Sequence, residues 1–327
     1  MHHPTRRGLL AAAATLPLAA PALLSPALAA FPDGPIRLVV PWPAGGLADV
    51  VTRAIGAAMS GPLGQPVVIE NRAGANGAVG TGSVARAAPD GGTLILANAE
   101  THAINPLIYP RLAYDAVADF TPVTLIARGP FVLLTRPGFG AESLDRFVAM
   151  VRAAPGKVTY ASWGIGSTSH LAMEALVKQA RLEMLHVPFT GAAPASTALV
   201  AGQVDAMFLN AGPAEAIARD GRLRILGIGA PARIPQLPDT PTLAELGMPV
   251  TAENWFGFLG PARMPPAVAE RIAAVAAEAA RQPAVEAVFR SQAALPVTTT
   301  PEAMRAFIAA DVANWSGVLR DLNIRLE

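Results

Sequence analysis

From residue 36 onward the chain alternates short apolar runs with Ala- and Leu-rich amphipathic stretches, and this alternation constrains the fold more than any other feature. The apolar runs cover residues 36–40, 67–70, 93–97, 123–127, 131–135, 158–161, 184–188, 205–209, 224–229 and 255–260. Most are continuously apolar, as expected of parallel strands covered on both faces. Helical patterns fill 49–63, 143–154, 169–180, 193–201, 266–281 and 301–322. In the last of these Met304, Phe307, Ile308, Trp315, Leu319 and Leu322 share one face, a packing stripe. Thr242 and Glu245 have the spacing of a capping box for a short helix. Strand–helix alternation predicts an α/β fold with right-handed crossovers. With 327 residues, 52% of them hydrophobic, the chain can build two medium domains.

One unit occurs twice. A strand, a Gly-rich loop and a helix span 36–63 and again 158–180. The first loop is Pro41-Trp42-Pro43-Ala44-Gly45-Gly46-Leu47-Ala48-Asp49, and the second is Ser162-Trp163-Gly164-Ile165-Gly166-Ser167-Thr168. A strand that breaks at Pro and Gly and restarts as a helix leaves free N–H groups at the positive dipole end, which favours an anion. No Lys or Arg lies between Pro41 and Asp49, so an anion there would be held by amides or water. The first loop reads equally as a tight connection with Asp49 as a first-turn charge. The repetition predicts two doubly wound α/β lobes joined by hinge strands near 123–127 and 255–260, with a cleft at the carboxyl ends of the strands. The lobes are placed at 30–127 with 253–327, and at 128–252.

The N-terminus reads as a secretory leader over residues 1–29. Arg6-Arg7 with Leu9-Leu10 resembles a twin-arginine signal, and Ala27-Leu28-Ala29 suits cleavage after Ala29. Pro17, Pro21 and Pro26 argue against the alternative, a retained membrane anchor. Cleavage removes two arginines, so the net charge of +1 becomes −1. The expected product is periplasmic and monomeric. A charged content of 15% without a basic stripe excludes a nucleic-acid partner. The chain has no cysteine, which excludes thiol nucleophiles, thiolate metal sites and disulfides.

Gly80-Thr81-Gly82-Ser83-Val84-Ala85 matches a dinucleotide fingerprint, with Glu100 about twenty residues on, but it does not directly follow a strand. A loop entering a small-residue helix fits better. Ser162, Ser167 and Ser169 lie near His170, which permits a hydroxyl–imidazole pair; hydroxyl donors and an N-cap are the plainer reading. His102, His170 and His186 are too dispersed for a metal site, and no cofactor is expected. Asp205 either orients a ligand group in the cleft or caps a turn.

These blocks resemble the Bug family, the periplasmic receptors of tripartite tricarboxylate transporters. The resemblance runs through residues 35–41 with Pro43-Ala44-Gly45-Gly46 and Asp49, then 63–72, Ala88-Pro89-Asp90-Gly91 and Thr101-His102-Ala103-Ile104-Asn105-Pro106. It continues through 119–123, Tyr160-Ala161-Ser162, His186-Val187-Pro188-Phe189, Gly202-Gln203-Val204-Asp205 and 237–242. It implies a two-lobed periplasmic binding fold, type II-like, that closes over a small organic acid. The two Gly-rich loops would grip one ligand carboxylate through amides, hydroxyls and waters. The implied ligand-binding set is Trp42, Ala44, Gly45, Gly46, Asp49, Thr101, His102, Ser162, Gly164, Gly166, Ser167, Thr168, Thr190 and Asp205. Partners would be transporter subunits or a membrane sensor.

Departures from the family pattern bear on the ligand. Trp42 replaces a smaller aromatic, Ala48 a hydroxyl residue, Thr190 a frequent Lys and Leu209 a frequent Asp. Trp42 would reshape the pocket mouth and Ala48 removes a hydroxyl, while the last two changes make the far side less charged and imply an acid with a less polar, even aromatic, distal end. The alternative is an exported enzyme using the same cleft with Ser162 and His170.

Overall fold

The computed structural model describes residues 31–219, 221 and 223–322. The leader and its cleavage point lie outside these residues.

A sheet of ten strands runs through the molecule in the order β2-β1-β3-β9-β4-β7-β5-β6, with β8 and β10 also paired to β4. In the first lobe β1 (Ile36–Val40) lies parallel to β2 (Val67–Asn71) and β3 (Thr93–Asn98), with Ile36 opposite Val67 and Arg37 opposite Thr93. In the second, β5 (Thr159–Ser162) lies parallel to β6 (Leu185–Pro188) and β7 (Ala206–Asn210). β8 (Arg224–Ile228), β9 (Glu253–Pro261) and β10 (Leu295–Pro296) pair antiparallel with β4 (Phe120–Thr135). The sheet is therefore mixed. Continuous apolarity reported burial on both faces, which the central antiparallel strands share, so it did not distinguish strand direction.

The two runs expected at 123–127 and 131–135 are one strand of 16 residues. Its first part pairs with β9 and its last part with β7 and β8. Arg128, Gly129 and Pro130 stay extended because they pair with Trp255, Asn254 and Glu253. A Cβ on Gly129 would lie 2.9 Å from Leu47 and 3.0 Å from the Asn210 amide, so the strand passes directly under both lobes' loops.

Helices cover both faces of each half. α1 (Leu47–Leu63), α8 (Pro266–Ala280) and α9 (Pro283–Ser291) cover one face of the first lobe through Val51, Ile55, Met59, Ile272 and Phe289. α2 (Ala78–Ala85), α3 (Asn105–Ile108) and α10 (Pro301–Leu322) cover the other. The α10 stripe packs as its periodicity predicts, with Met304, Ile308 and Leu319 buried and Phe307, Trp315 and Leu322 partly buried beside them. In the second lobe α4 (Leu144–Ala153) and α5 (Thr168–Ala180) lie on one face, α6 (Ala192–Val200) and α7 (Ala211–Ala218) on the other.

Three helices escaped the sequence reading, α3, α7 and α9, each with a proline in its first turn. Pro213 sits in the first turn of α7 and Pro283 begins α9, positions where the missing N–H has no acceptor to lose. The capping box at Thr242 forms both reciprocal bonds, at 2.6 and 3.1 Å, but Gly247, at φ +76°, ends the segment after one turn. Gly80 and Gly82 lie within α2, where a Cβ on Gly80 would come within 2.7 Å of the Arg72 carbonyl. Gly80 thus serves close helix packing, whereas a Cβ on Gly82 would come no closer than 3.6 Å to a neighbour.

Candidate functional site

Where the lobes meet, a cavity of about 230 Å³ opens at the carboxyl ends of β1, β3 and β7. Its walls are Trp42 to Ala48, Gly191 to Pro194, Leu209, Asn210, Phe256 and Trp163, together with Asn98, Asn254 and Glu100. Among the described residues no Lys or Arg lines it.

Three helices begin at this cavity. α1 starts after Gly46, an extended residue with no side-chain cap. α6 starts after Gly191, at φ 146°, also uncapped. α7 starts after Asn210, whose side chain does not cap it either. The first turn of each helix carries N–H groups without intrahelical acceptors, at the positive end of the dipole. Two buried side-chain donors at the same cavity, Trp42 Nε1 and Asn210 Nδ2, have no hydrogen-bond partner. Five sources of positive potential therefore meet around one volume without any cationic side chain.

The first loop is braced from behind. Asp49 is buried and accepts from the Gly45 N–H at 3.0 Å, from Arg53 at 3.0 and 2.9 Å and from Asn71 at 2.9 Å. Asn71 also donates to the Trp42 carbonyl at 3.1 Å, tying the loop down at two points. Burial works against the Asp49 charge, but bonds from Arg53, Gly45 and Asn71 outweigh it and hold the carboxyl below its ordinary range. Gly45 takes φ +86°, where a side chain would be strained. Trp42, Ala44, Gly45 and Gly46 line the cavity, whereas Asp49 holds their shape.

The second loop is arranged differently. Ser167 caps α5, accepting from the His170 N–H at 3.3 Å. The α5 amide of Thr168 donates to Glu100 of the first lobe at 3.1 Å, and its hydroxyl donates to the same oxygen at 2.6 Å. Trp163 adds a bond at 3.3 Å, and Asn254 donates to the other oxygen at 2.8 Å. Glu100 is wholly buried. Ser162 pairs with His186 at 2.7 Å and with the backbone of Gly164, not with His170. His170 instead accepts from the Gly166 N–H at 3.1 Å and stacks on His186, ring centroids 4.0 Å apart. Ser162, Gly164, Gly166 and Ser167 are thus engaged among themselves and do not line the cavity, and Thr168 meets it only through Glu100.

The remaining expected residues lie elsewhere. Thr101 and His102 are buried in the first lobe, bonded to each other at 2.9 Å, with His102 edge-on to Phe120. Burial pulls the His102 imidazole down to about 3, so it is neutral. Thr190 is exposed and does not line the cavity, although its neighbour Gly191 does. Asp205 precedes β7, at the opposite end of the strand from Asn210, and accepts from Arg136 at 2.7 Å and from the Thr159 N–H at 2.8 Å. Placing it in the cleft is corrected on this ground: the ligand end of a parallel strand is its carboxyl end. Glu100 was read only as the acid of the rejected fingerprint and Trp163 only as part of the second loop, while Asn210, Asn254 and Phe256 went unread. They belong to strand ends that pattern alone marks as core.

A larger cavity, about 420 Å³, lies behind the hinge. No helix begins there, and its polar groups pair with one another: Arg128 with Glu253, and Trp255 Nε1 with Asp311 at 2.7 Å. Among the described residues no three acidic or histidine side chains are placed to hold a metal, and no helix is long and apolar enough to cross a membrane.

A family model described as "Tripartite tricarboxylate transporter family receptor" matches residues 51–324. The chain belongs to this family. Protein BugT of Bordetella pertussis is 36% identical over 299 residues, covering 91% of this chain and 92% of BugT. Among solved structures, R. palustris Rpa4515 with adipate superposes with a TM-score of 0.86 at 30% identity, over 90% of this chain and 99% of that one. MatC from Rhodopseudomonas palustris, with bound malate, gives 0.83 at 34% identity, over 88% and 100%. The fold is the two-lobed fold of periplasmic binding proteins, and the cavity lies between the lobes.

Proposed function

We propose that this chain is an extracytoplasmic receptor that captures a small organic carboxylate between its lobes and presents the closed form to a membrane partner, either tripartite-transporter subunits or a sensor. The observation that carries this reading is the convergence of three uncapped helix N-termini and two unpartnered buried donors on one cavity without a basic side chain. Such a site suits an anion of modest charge held by amides. Related receptors carry adipate and malate, which are carboxylates.

In this reading the lobes divide at 30–127 with 253–327 and at 128–252, hinged on β4 and β9. Residues 1–29 act as a leader cut after Ala29. Ligand binding stabilises the closed arrangement through its greater affinity for it. The carboxylate head sits against α1, α6 and α7, so the expected grip by Ser162 to Thr168 passes to Asn210 and Gly191.

Mass spectrometry of gently purified protein, followed by calorimetry with mono- and dicarboxylates, tests the proposal. One organic acid bound per chain is expected, and a micromolar constant would correspond to roughly −8 kcal/mol. Failure of every small acid to bind or stabilise, or chemical turnover of the bound acid, overturns it.

A further inference from the structure

Glu100 has no part in the proposed grip, yet it is wholly buried and forms part of the cavity wall. It sits on a turn of π-helix, Glu100–Ile104, at the end of β3, and reaches across the lobe boundary to the N-terminus of α5. All four of its contacts are donors: the Thr168 N–H and hydroxyl, the Trp163 indole and the Asn254 amide. The Asn254 amide is locked in orientation, because its oxygen accepts the N–H groups of Ala99, at 3.3 Å, and Trp255, at 2.9 Å. Among the described residues no cation is bonded to the carboxylate. The protein has therefore placed one of its own carboxylates on the helix end that, by sequence, matches α1 most closely.

We propose that Glu100 is a specificity-determining residue. It fills the α5 anion position and restricts this receptor to monocarboxylates with an apolar or aromatic body. This rests on the carboxylate-receptor reading. A ligand whose head engages α1, α6 and α7 directs its other end toward Trp163, Phe256 and Glu100. A second ligand carboxylate arriving there would meet a buried like charge whose compensating donors are already engaged. Juxtaposed like charges cost several kcal/mol, which is roughly a hundredfold or more in affinity. The rings of Trp42, Trp163 and Phe256 offer instead a surface for an apolar body.

Calorimetry on the unmodified protein with matched pairs tests this: hexanoate against adipate, and benzoate against terephthalate. The monocarboxylate of at least one pair is expected to bind roughly a hundredfold more tightly than its partner. Glu100→Ala, which empties the α5 position, is expected to reduce that ratio to tenfold or less by admitting the dicarboxylate. Glu100→Gln removes the charge while keeping most of the volume and is expected to reduce it partway, which separates charge from space. Circular dichroism checks folding of both variants. Equal or tighter binding of the dicarboxylates to the unmodified protein overturns the role of Glu100 and leaves the receptor reading intact. So does an unchanged ratio in both folded variants. If no member of either pair binds, and no acid is retained on purification, the receptor reading falls and the inference with it.

Discussion

The loops that open α1 and α5 are built from the same pieces and end in opposite states. Each follows a parallel strand, turns on glycines and starts a helix. At α1 the acid of the first turn, Asp49, faces backward and braces the loop, so the amides of Gly46, Leu47 and Ala48 are left toward the cavity. At α5 the acid arrives from the other lobe and faces forward, so the helix end is spent on Glu100. The difference teaches that an anion-favouring turn becomes a ligand site only if nothing in the fold reaches it first.

The strongest way to break this comparison is to make α1 resemble α5. Gly46 has backbone angles open to any residue, and a Cβ there would come no closer than 3.9 Å to the Pro43 carbonyl. Gly46→Asp should cap α1 with its own carboxylate. Carboxylate affinity is expected to fall roughly a hundredfold or more, while stability changes by only a few tenths of a kcal/mol. Calorimetry and urea denaturation on one preparation read both. Retained affinity would mean that α1 does not hold the ligand.

A second comparison sets Asp49 against Asp205, two ion-paired carboxylates of which only one braces the cavity. Asp49→Ala is expected to cost about 2–3 kcal/mol of stability and to weaken ligand binding about tenfold. Asp205→Ala should cost about 1–2 kcal/mol and leave affinity within twofold. At Asp205, burial opposes the charge but bonds from Thr159 and Arg136 outweigh it, so both carboxyls titrate below their ordinary range when folded. Their stabilisation is complete above the unfolded pKa and is lost as pH falls through the depressed folded values. Each variant should therefore show a flatter acid limb in stability measured from pH 5 to 2.

Asp311, behind the hinge, carries the opposite sign. Burial, with the nearby charges of Glu100 and Glu253, raises it to about 6 despite indole bonds from Trp255 and Trp315. Its favourable contribution is complete below its unfolded pKa and is lost as pH rises through about 6. Asp311→Asn is thus expected to stabilise the protein by about 2 kcal/mol at pH 8 and hardly at all at pH 4. The Asp311 midpoint followed by NMR should also drop in Glu100→Gln, which reports directly on the charge at α5.

The smallest effect concerns the unpartnered indole. Trp42→Phe keeps the aromatic wall and removes one donor, so affinity should fall about five- to tenfold with little change in stability. No loss of affinity would place the ligand head away from Trp42.

Much of the fold was legible in the sequence, because burial on both faces leaves continuous apolar runs and a packed helix leaves a period. The α10 stripe and the α1 loop followed directly from those patterns. Strand direction did not, since β4 and β9 are as buried as their parallel neighbours. Thr101, His102 and Asp205 lie apart from the cavity they were expected to line, for a related reason. A polar residue in an apolar block looks functional whether it faces a ligand or satisfies a backbone, and only the surroundings separate the two. Glu100 presented the reverse problem. In the sequence it stood out only as the acid of a dinucleotide fingerprint that its context ruled out, and its partners Trp163, Thr168 and Asn254 are 63, 68 and 154 residues away.

The sequence by itself determined that this chain makes two α/β units with amide-rich helix starts at strand ends, because glycine, proline and apolar periodicity act locally. Tertiary structure alone decided which of those helix starts remain open. That choice depends on which side chain of one lobe lands on the helix of the other, and nothing local to the α5 loop encodes the arrival of Glu100.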